Sequence, residues 1–429
     1  MLLGRVSSIA IILLLIAWGV APHASASGDV PQALSRSPAA APAAVPAPAP
    51  TTQPPSPIER PAPARPAPGL EPEWGQPGLD FAPQVKTLAR VTACARGAEI
   101  PPSFSPAVVE AHCHLLGTLA DQWSKRWLAR ARTFFDQTVP TTNLPDRVVY
   151  PFGGGDLLTA LVVFPNASEI TTLSLEPAGD PRVLDNLDQA DLEAGLVEVR
   201  KKVNHLFSVG HSKTTDMGRM TRSVLPGDLT YTLVALEIQG FEILTARFFR
   251  VDPSGALEYL RAVDPYPHEI PGLRSPFASV EIAYRARAGG PRRIFRHIAV
   301  NLDDAHLAAN PAVLRHLEAK GQVAAMTKAA SYLLWWKEFN LIRNYLLEHM
   351  VWMVSDSTGI PTDLARAAGF EQIPFGRFDG PFLGGGNHPT EVFKKLWAEE
   401  GAGPLTFRFG YPDSAGHDHL VITRRATEK

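Results

Sequence analysis

The stretch VVYPFGGGDLLTALVVFPNASEITTLSLEP, residues 148–177, constrains the fold more than any other part of the chain. An apolar run stops at Gly153, Gly154 and Gly155, Asp156 opens a short apolar segment, and a strand-like segment, ITTLSL, then ends at Glu176. The pattern predicts strand 148–152, helix 156–164 and strand 170–175. An apolar run, a glycine turn and a capped apolar helix make a β-α-β unit, so the two strands are expected to be parallel neighbours. The glycines can serve φ > 0 at a tight strand-to-helix corner. The same layout suits a nucleotide, because a glycine turn admits the ligand to the backbone and a helix N-terminus faces its phosphate. An acidic residue about 20 positions on then takes the ribose hydroxyls, and Glu176 lies 21 residues past Gly155. Three features oppose a nucleotide. The helix is short, GGGD is neither G-x-G-x-x-G nor a phosphate loop, and Asp156 would repel phosphate while accepting from an amine or hydroxyl. No cofactor is expected. The turn is read as a structural corner or as a site for another polar ligand.

The first 26 residues have the form of a secretory leader. Arg5 precedes the apolar stretch Ile9–Val20, and Ala24-Ser25-Ala26 follows as a small-x-small cleavage site. An uncleaved N-terminal anchor is the alternative. Residues 27–80 are expected to be a disordered linker, since residues 31–80 hold 15 of the 40 prolines, mixed mostly with alanine. Residues 81–429 remain for a globular α/β domain. No later segment reaches the roughly 18 continuous apolar residues of a membrane helix, so no span is expected after leader cleavage. The net charge of −2, without a long run of one sign, sets nucleic-acid binding aside. The expected place is outside the cytoplasm, periplasmic or secreted. There the two cysteines, Cys94 and Cys113, are expected to form a disulfide. His112-Cys113-His114 lacks the paired spacing of a zinc motif, and no metal site is expected.

Along the domain, helices are expected near 83–96 and from Ser105 onward, with Pro106 at the first helical position. Val109, Leu116, Leu119, Trp123, Trp127 and Phe134 give the second of these an apolar face, read as core rather than as a ligand platform. A longer helix is expected over 188–207. Two hairpins follow, 229–251 turning at Gln239-Gly240 and 280–302 turning at Gly289-Gly290. Alternating helices and strands then run to the end. The fold class expected is α/β, a mixed sheet with a β-α-β unit after a helical N-terminal pair and inserted antiparallel hairpins.

Four segments resemble, in order, an uncharacterised family of exported bacterial proteins. YPFGGGD with the later FP and LEP is similar to that family's YPFxGxD stretch. SKTTDM (212–217), KAASYLL (328–334) and IRNYLLEHMVWMVSDSTGIP (342–361) are similar to its later motifs. The resemblance spans about 127–361. It implies no activity, but it groups Asp156, Glu176, Lys213, Asp216, Lys328, Ser331, Arg343, Asp356 and Ser357 as residues that belong together. Glycines here replace the family's usual small residue and proline, and Ser355 stands where it has the first carboxylate of D-D-S.

Asp156, Glu176, Asp216 and Asp356 are expected at strand ends or adjoining loops, where open α/β sheets place their sites. Capping and turn-making need Asp at such positions too. Three functions are open from these residues. One is binding of a small polar ligand or cell-envelope component. Another is a hydrolase of an envelope polymer, using two carboxylates as acid and base. The third is a degenerate nucleotide-type or methyltransferase-like fold kept as scaffold. No G-x-S-x-G supports a serine hydrolase.

Overall fold

Arg147–Pro151 and Glu169–Ser174 lie side by side and parallel, with Val148 opposite Ile170 and Tyr150 opposite Thr172, and Leu157–Val163 is the helix between them. The β-α-β unit forms as the sequence predicts, each element shifted by about one residue. Asp156 caps the helix by accepting from Thr159 N. Phe164-Pro165 follows its end, where a proline disfavours further helix in the residue before it.

The computed structural model describes residues 72–140, 142–209, 224–262, 275–356, 359–381 and 387–426. Lys213, Asp216 and Ser357 lie outside the described residues, as do the leader and most of the linker. In chain order the strands are β1 (Glu73–Gly75), β2 (Arg147–Pro151), β3 (Glu169–Ser174), β4 (Phe241–Val251), β5 (Leu257–Ala262), β6 (Ser279–Ala286), β7 (Arg293–Ala299), β8 (Val323–Thr327), β9 (Met350–Ser355), β10 (Phe370–Gly376) and β11 (His419–Arg425). The helices are α1 (Ala82–Thr92), α2 (Pro106–Trp123), α3 (Ala129–Thr138), α4 (Leu157–Val163), α5 (Gln189–Val209), α6 (Gly227–Ile238), α7 (Asp304–Ala309), α8 (Ala312–Glu318), α9 (Asn340–His349), α10 (Thr362–Ala367) and α11 (Asn387–Glu400).

The strands form one mixed sheet in the order β1-β5-β4-β6-β7-β3-β2-β8-β9-β11-β10. From β7 to β9 all neighbours are parallel. On both sides of that centre the pairing is antiparallel. Val148, Tyr150 and Ile170 pack with Leu88 of α1, Leu116 of α2, Leu157 of α4, Leu196 of α5 and Leu229 of α6. Val149 and Leu173 pack on the other face with Leu307, Leu317 and Leu346 of α7, α8 and α9. A strand covered on both faces is buried at consecutive positions, which is why β2 reads as an apolar run and why Thr171, Thr172 and Ser174 of β3 are buried together with Ile170 and Leu173.

Two expectations are corrected. Leu229–Ile238 is not a strand of a hairpin but most of helix α6, and only the part after Gly240 is strand. Leu229 to Leu236 are all buried, so no polar face marks the period and β-branched residues are overridden by packing on both sides. Residues 73–75, expected within the linker, pair with β5, and Arg250 sits over the Trp74 ring at 5.2 Å. A proline-flanked extended segment can still add an edge strand. The hairpin over β6 and β7 is present. β6 is buried from Ser279 to Tyr284, and even Glu281 is buried, accepting from Tyr259 Oη at 2.9 Å and Arg296 Nε at 2.8 Å. Arg296 also reaches Glu169 of β3, as does Lys320. Burial alone would raise the Glu169 carboxyl, but Lys320 and then Arg296 outweigh it and hold it at about 2. This charge ladder ties the antiparallel section to the parallel centre.

Trp123 and Trp127 stack at 5.3 Å and are buried, as a core stripe should be. A π turn at Ser124–Leu128 separates α2 from α3.

Candidate functional site

The chain leaves β2 on one side toward β3 and β7 and on the other toward β8 and β9, so β2 and β8 flank the switch point of the sheet. Ligands of open α/β sheets bind outside the strand C-termini at this place. β2 ends there in the glycine turn and β8 ends in Thr327-Lys328.

Asp156 and Lys328 meet at this point, with Nζ 2.6 Å from Oδ2 and both side chains buried. Asp156 Oδ2 also accepts from Tyr150 Oη at 3.0 Å. Its Oδ1 accepts from Thr159 N at 3.2 Å and Thr159 Oγ1 at 2.8 Å. Lys328 Nζ donates to Thr159 Oγ1 at 2.6 Å and lies 5.6 Å from the Phe409 ring centre. Burial, then the Asp156 charge, pushes the Tyr150 phenol well up, so it stays a proton donor.

Asp356, at the end of β9, is fully buried. Its Oδ2 accepts from Ala329 N at 2.7 Å and Tyr411 N at 2.9 Å, and Ser331 Oγ donates to Oδ1. Ala329 adopts φ 66° to present its N–H. Gly410, at φ 76°, lies so close that a Cβ there would fall 1.9 Å from Asp356 Oδ2. Arg343 stands apart from the carboxylates. Its guanidinium donates to Leu334 O at 2.7 Å and Trp336 O at 3.2 Å, holding the turn after β8. Of the grouped residues, the fold thus pairs Asp156 with Lys328 and Asp356 with Ser331 in two buried sets that adjoin at Lys328-Ala329, and leaves Arg343 bracing the turn beside them.

Glu176 belongs to a second cluster. It is buried, and its Oε1 has no hydrogen-bond partner. Asp228, at the start of α6, is equally buried and neither of its oxygens has such a partner. His297 Nε2 lies 2.7 Å from Glu176 O and its Nδ1 3.1 Å from Thr172 Oγ1. This pairing assigns the proton to Nε2 and makes Nδ1 an acceptor. Burial lowers the His297 pKa, so the ring is neutral and does not neutralise Asp228 Oδ2, 3.6 Å away. Burial, then the Glu176 charge, raises the Asp228 carboxyl well above its usual range. Asp228 therefore keeps its proton where an ordinary aspartate would lose it.

The glycine turn joins the two clusters. A Cβ on Gly153 would fall 2.7 Å from the Tyr150 ring, and Gly154 has φ 48°. A Cβ on Gly155 would fall 3.0 Å from Asp228 O, Asp228 Oδ1 and Tyr231 Cβ. The space that a glycine leaves for a ligand is here occupied by α6. Asp228 and His297 escape a reading of the sequence because Pro226-Gly227-Asp228 looks like an ordinary turn and Arg296-His297 like the polar side of a strand, and only packing buries them.

No metal-competent group of His, Cys, Asp or Glu occurs among the described residues, and none of their helices is long and apolar enough to cross a membrane. Cys94 and Cys113 form the expected disulfide. No protein-family model and no curated protein matches this chain.

Asp228→Asn is expected to raise stability at pH 7 by about 1 kcal/mol or more, because an amide is neutral at every pH and removes the cost of holding a proton beside the Glu176 charge. A raised carboxyl pKa contributes stability that is whole below the unfolded value, about 3.9, and is lost as pH rises. The gain should therefore shrink toward pH 4. Melting curves of both proteins at pH 4 and 7 test this. A gap independent of pH would mean that Asp228 carries no proton.

Proposed function

We propose that the chain is an exported, non-catalytic binding domain that keeps a methyltransferase-like sheet as its scaffold. Its ligand in this reading is a small polar molecule or a component of the cell envelope. Counted from the strand before the glycine turn, the parallel strands run 3-2-1-4-5, the order of doubly wound nucleotide-binding sheets. The antiparallel β11 lies between β9 and β10, as in methyltransferase-like sheets. The observation that carries the reading is Gly155 against Asp228 and Tyr231, where the ligand of such a turn would approach the backbone.

The buried carboxylates count against the hydrolase. An acid–base pair needs carboxyl oxygens within reach of a substrate, whereas Asp156 and Asp356 have theirs engaged by Tyr150, Thr159, Lys328, Ser331 and backbone N–H groups. Export is supported by the leader-like first 26 residues, by the disulfide, and by the resemblance to exported proteins.

Calorimetric titration of the mature chain with S-adenosylmethionine and with NAD, each to about 1 mM, is expected to show no saturable heat. A Kd of about 10 µM would stabilise the fold by about 2.7 kcal/mol at that 100-fold excess. Such a shift would overturn the scaffold reading and make the sheet edge a working cofactor site.

A further inference from the structure

Away from the switch point, a cavity of about 340 Å³ opens between α1, the loop after it, α6 and the start of β4. Leu233, Leu236 and Ile243 form an apolar floor and are buried. The rim is charged. Arg287 is paired with Glu237 and Glu242 with Arg285, so those four cancel. Lys86 and Arg96 also line the cavity, are exposed, and have no ion-pair partner among the described residues. The loop carrying Arg96 begins beside Cys94, which the disulfide fastens to α2. One side of the cavity is therefore held in place before any ligand arrives.

We propose that this cavity binds a small amphipathic anion, a carboxylate on a short aliphatic chain, with the chain on Leu233, Leu236 and Ile243 and the carboxylate between Lys86 and Arg96. Ligand pockets fall in the range of about 300–1,000 Å³, mostly apolar with a few placed polar groups. At about 30 Å³ for each water-sized group, the cavity takes on the order of ten non-hydrogen atoms, the size of an eight-carbon carboxylate. Desolvating the chain supplies the attraction. The two cations set the sign of the charge accepted, because a carboxylate offers the paired acceptors that a guanidinium fork matches. An ammonium head group would instead face two uncancelled positive charges. This site is independent of the sheet edge, and its ligand makes no demand on the glycine turn.

The test is calorimetric titration of octanoate into the oxidised mature chain, with octanol, acetate and octylammonium as controls. Octanoate is expected to bind one site with a Kd below about 1 mM. Octanol, acetate and octylammonium should each bind at least tenfold more weakly. Lys86→Glu/Arg96→Glu should weaken octanoate at least tenfold and strengthen octylammonium, with an unchanged melting curve because both side chains are exposed. Ala98→Trp, which fills the cavity from its rim, should abolish binding of either. Absence of octanoate binding would overturn the proposal. Equal binding of octanol, or indifference to the charge reversal, would also overturn it, by leaving an apolar slot without anion selectivity.

Discussion

Lys328→Met is expected to lower stability by about 3–5 kcal/mol at pH 7, the cost of leaving one member of a buried ion pair without its partner. Methionine fills much of the volume of the lysine stem, so the loss reports charge rather than packing. It strands Asp156 with neutral donors only, Tyr150 Oη and the N–H and Oγ1 of Thr159. Adding Asp156→Asn to Lys328→Met should recover part of the loss. The amide still accepts from Thr159 N as a helix cap and no longer holds an unpaired charge. Asp156→Asn alone should be costly, because it leaves Lys328 as the stranded member. Urea unfolding of the four proteins closes a double-mutant cycle, and a coupling of several kcal/mol with an unchanged m-value is the expected result. A loss below about 1 kcal/mol for Lys328→Met would mean that water reaches this pair. The switch point would then be open to ligands, contrary to the closed scaffold proposed above.

Replacing both cysteines, Cys94→Ser with Cys113→Ser, is expected to remove about 3 kcal/mol, as the loop-entropy model gives for a closed loop of about this length. The two residues are 19 apart in sequence, and their Cα atoms are 5.4 Å apart. The bond joins the end of α1 to α2. Beside it, His112 Nε2 donates to Thr92 O, and Arg200 Nη1 donates to His112 Nδ1. Burial, aided by Arg200, pushes the His112 ring down to about 4, so it stays neutral and both contacts persist at neutral pH. The first of these bonds ties α2 to α1 and the second ties it to α5 without the disulfide, so the variant should fold but unfold at lower urea. Alkylation of the mature protein without reductant should label no thiol. Two labelled thiols would show that the bond does not form in solution.

The β-α-β unit was legible because its three signals agree. An apolar run of strand length, the glycines that end it and an aspartate capping an apolar helix all point to one geometry, and each acts over a few residues. The disulfide was legible because two cysteines allow one pairing within the chain. The hairpin over β6 and β7 was marked by Gly289-Gly290. Helix α6 was not legible, since TYTLVALEI is apolar on every side and rich in β-branched residues. Its helical form depends on being buried between α1, α4 and β4, which no window of sequence contains. Trp74 likewise became an edge strand only because β5 offered an unpaired rim.

For the candidate site the division falls in the same place. Glycines with an aspartate behind them, and polar residues at strand ends, could be named from the chain alone, because local backbone chemistry confines them to such positions. Which of them meet was decided by strand order: placing β8 beside β2 and β9 beside β8 brings Lys328, Ser331 and Asp356 to the glycine turn from positions about 170 to 200 residues away. Whether the turn stands open or filled was decided by α6, which sets Asp228 against Gly155. Local signals select turns, caps and periods through contacts a few residues long. The protonation of Asp228 and the pairing of Asp156 depend on desolvation and on charges from distant strands, and those exist only once the sheet has assembled.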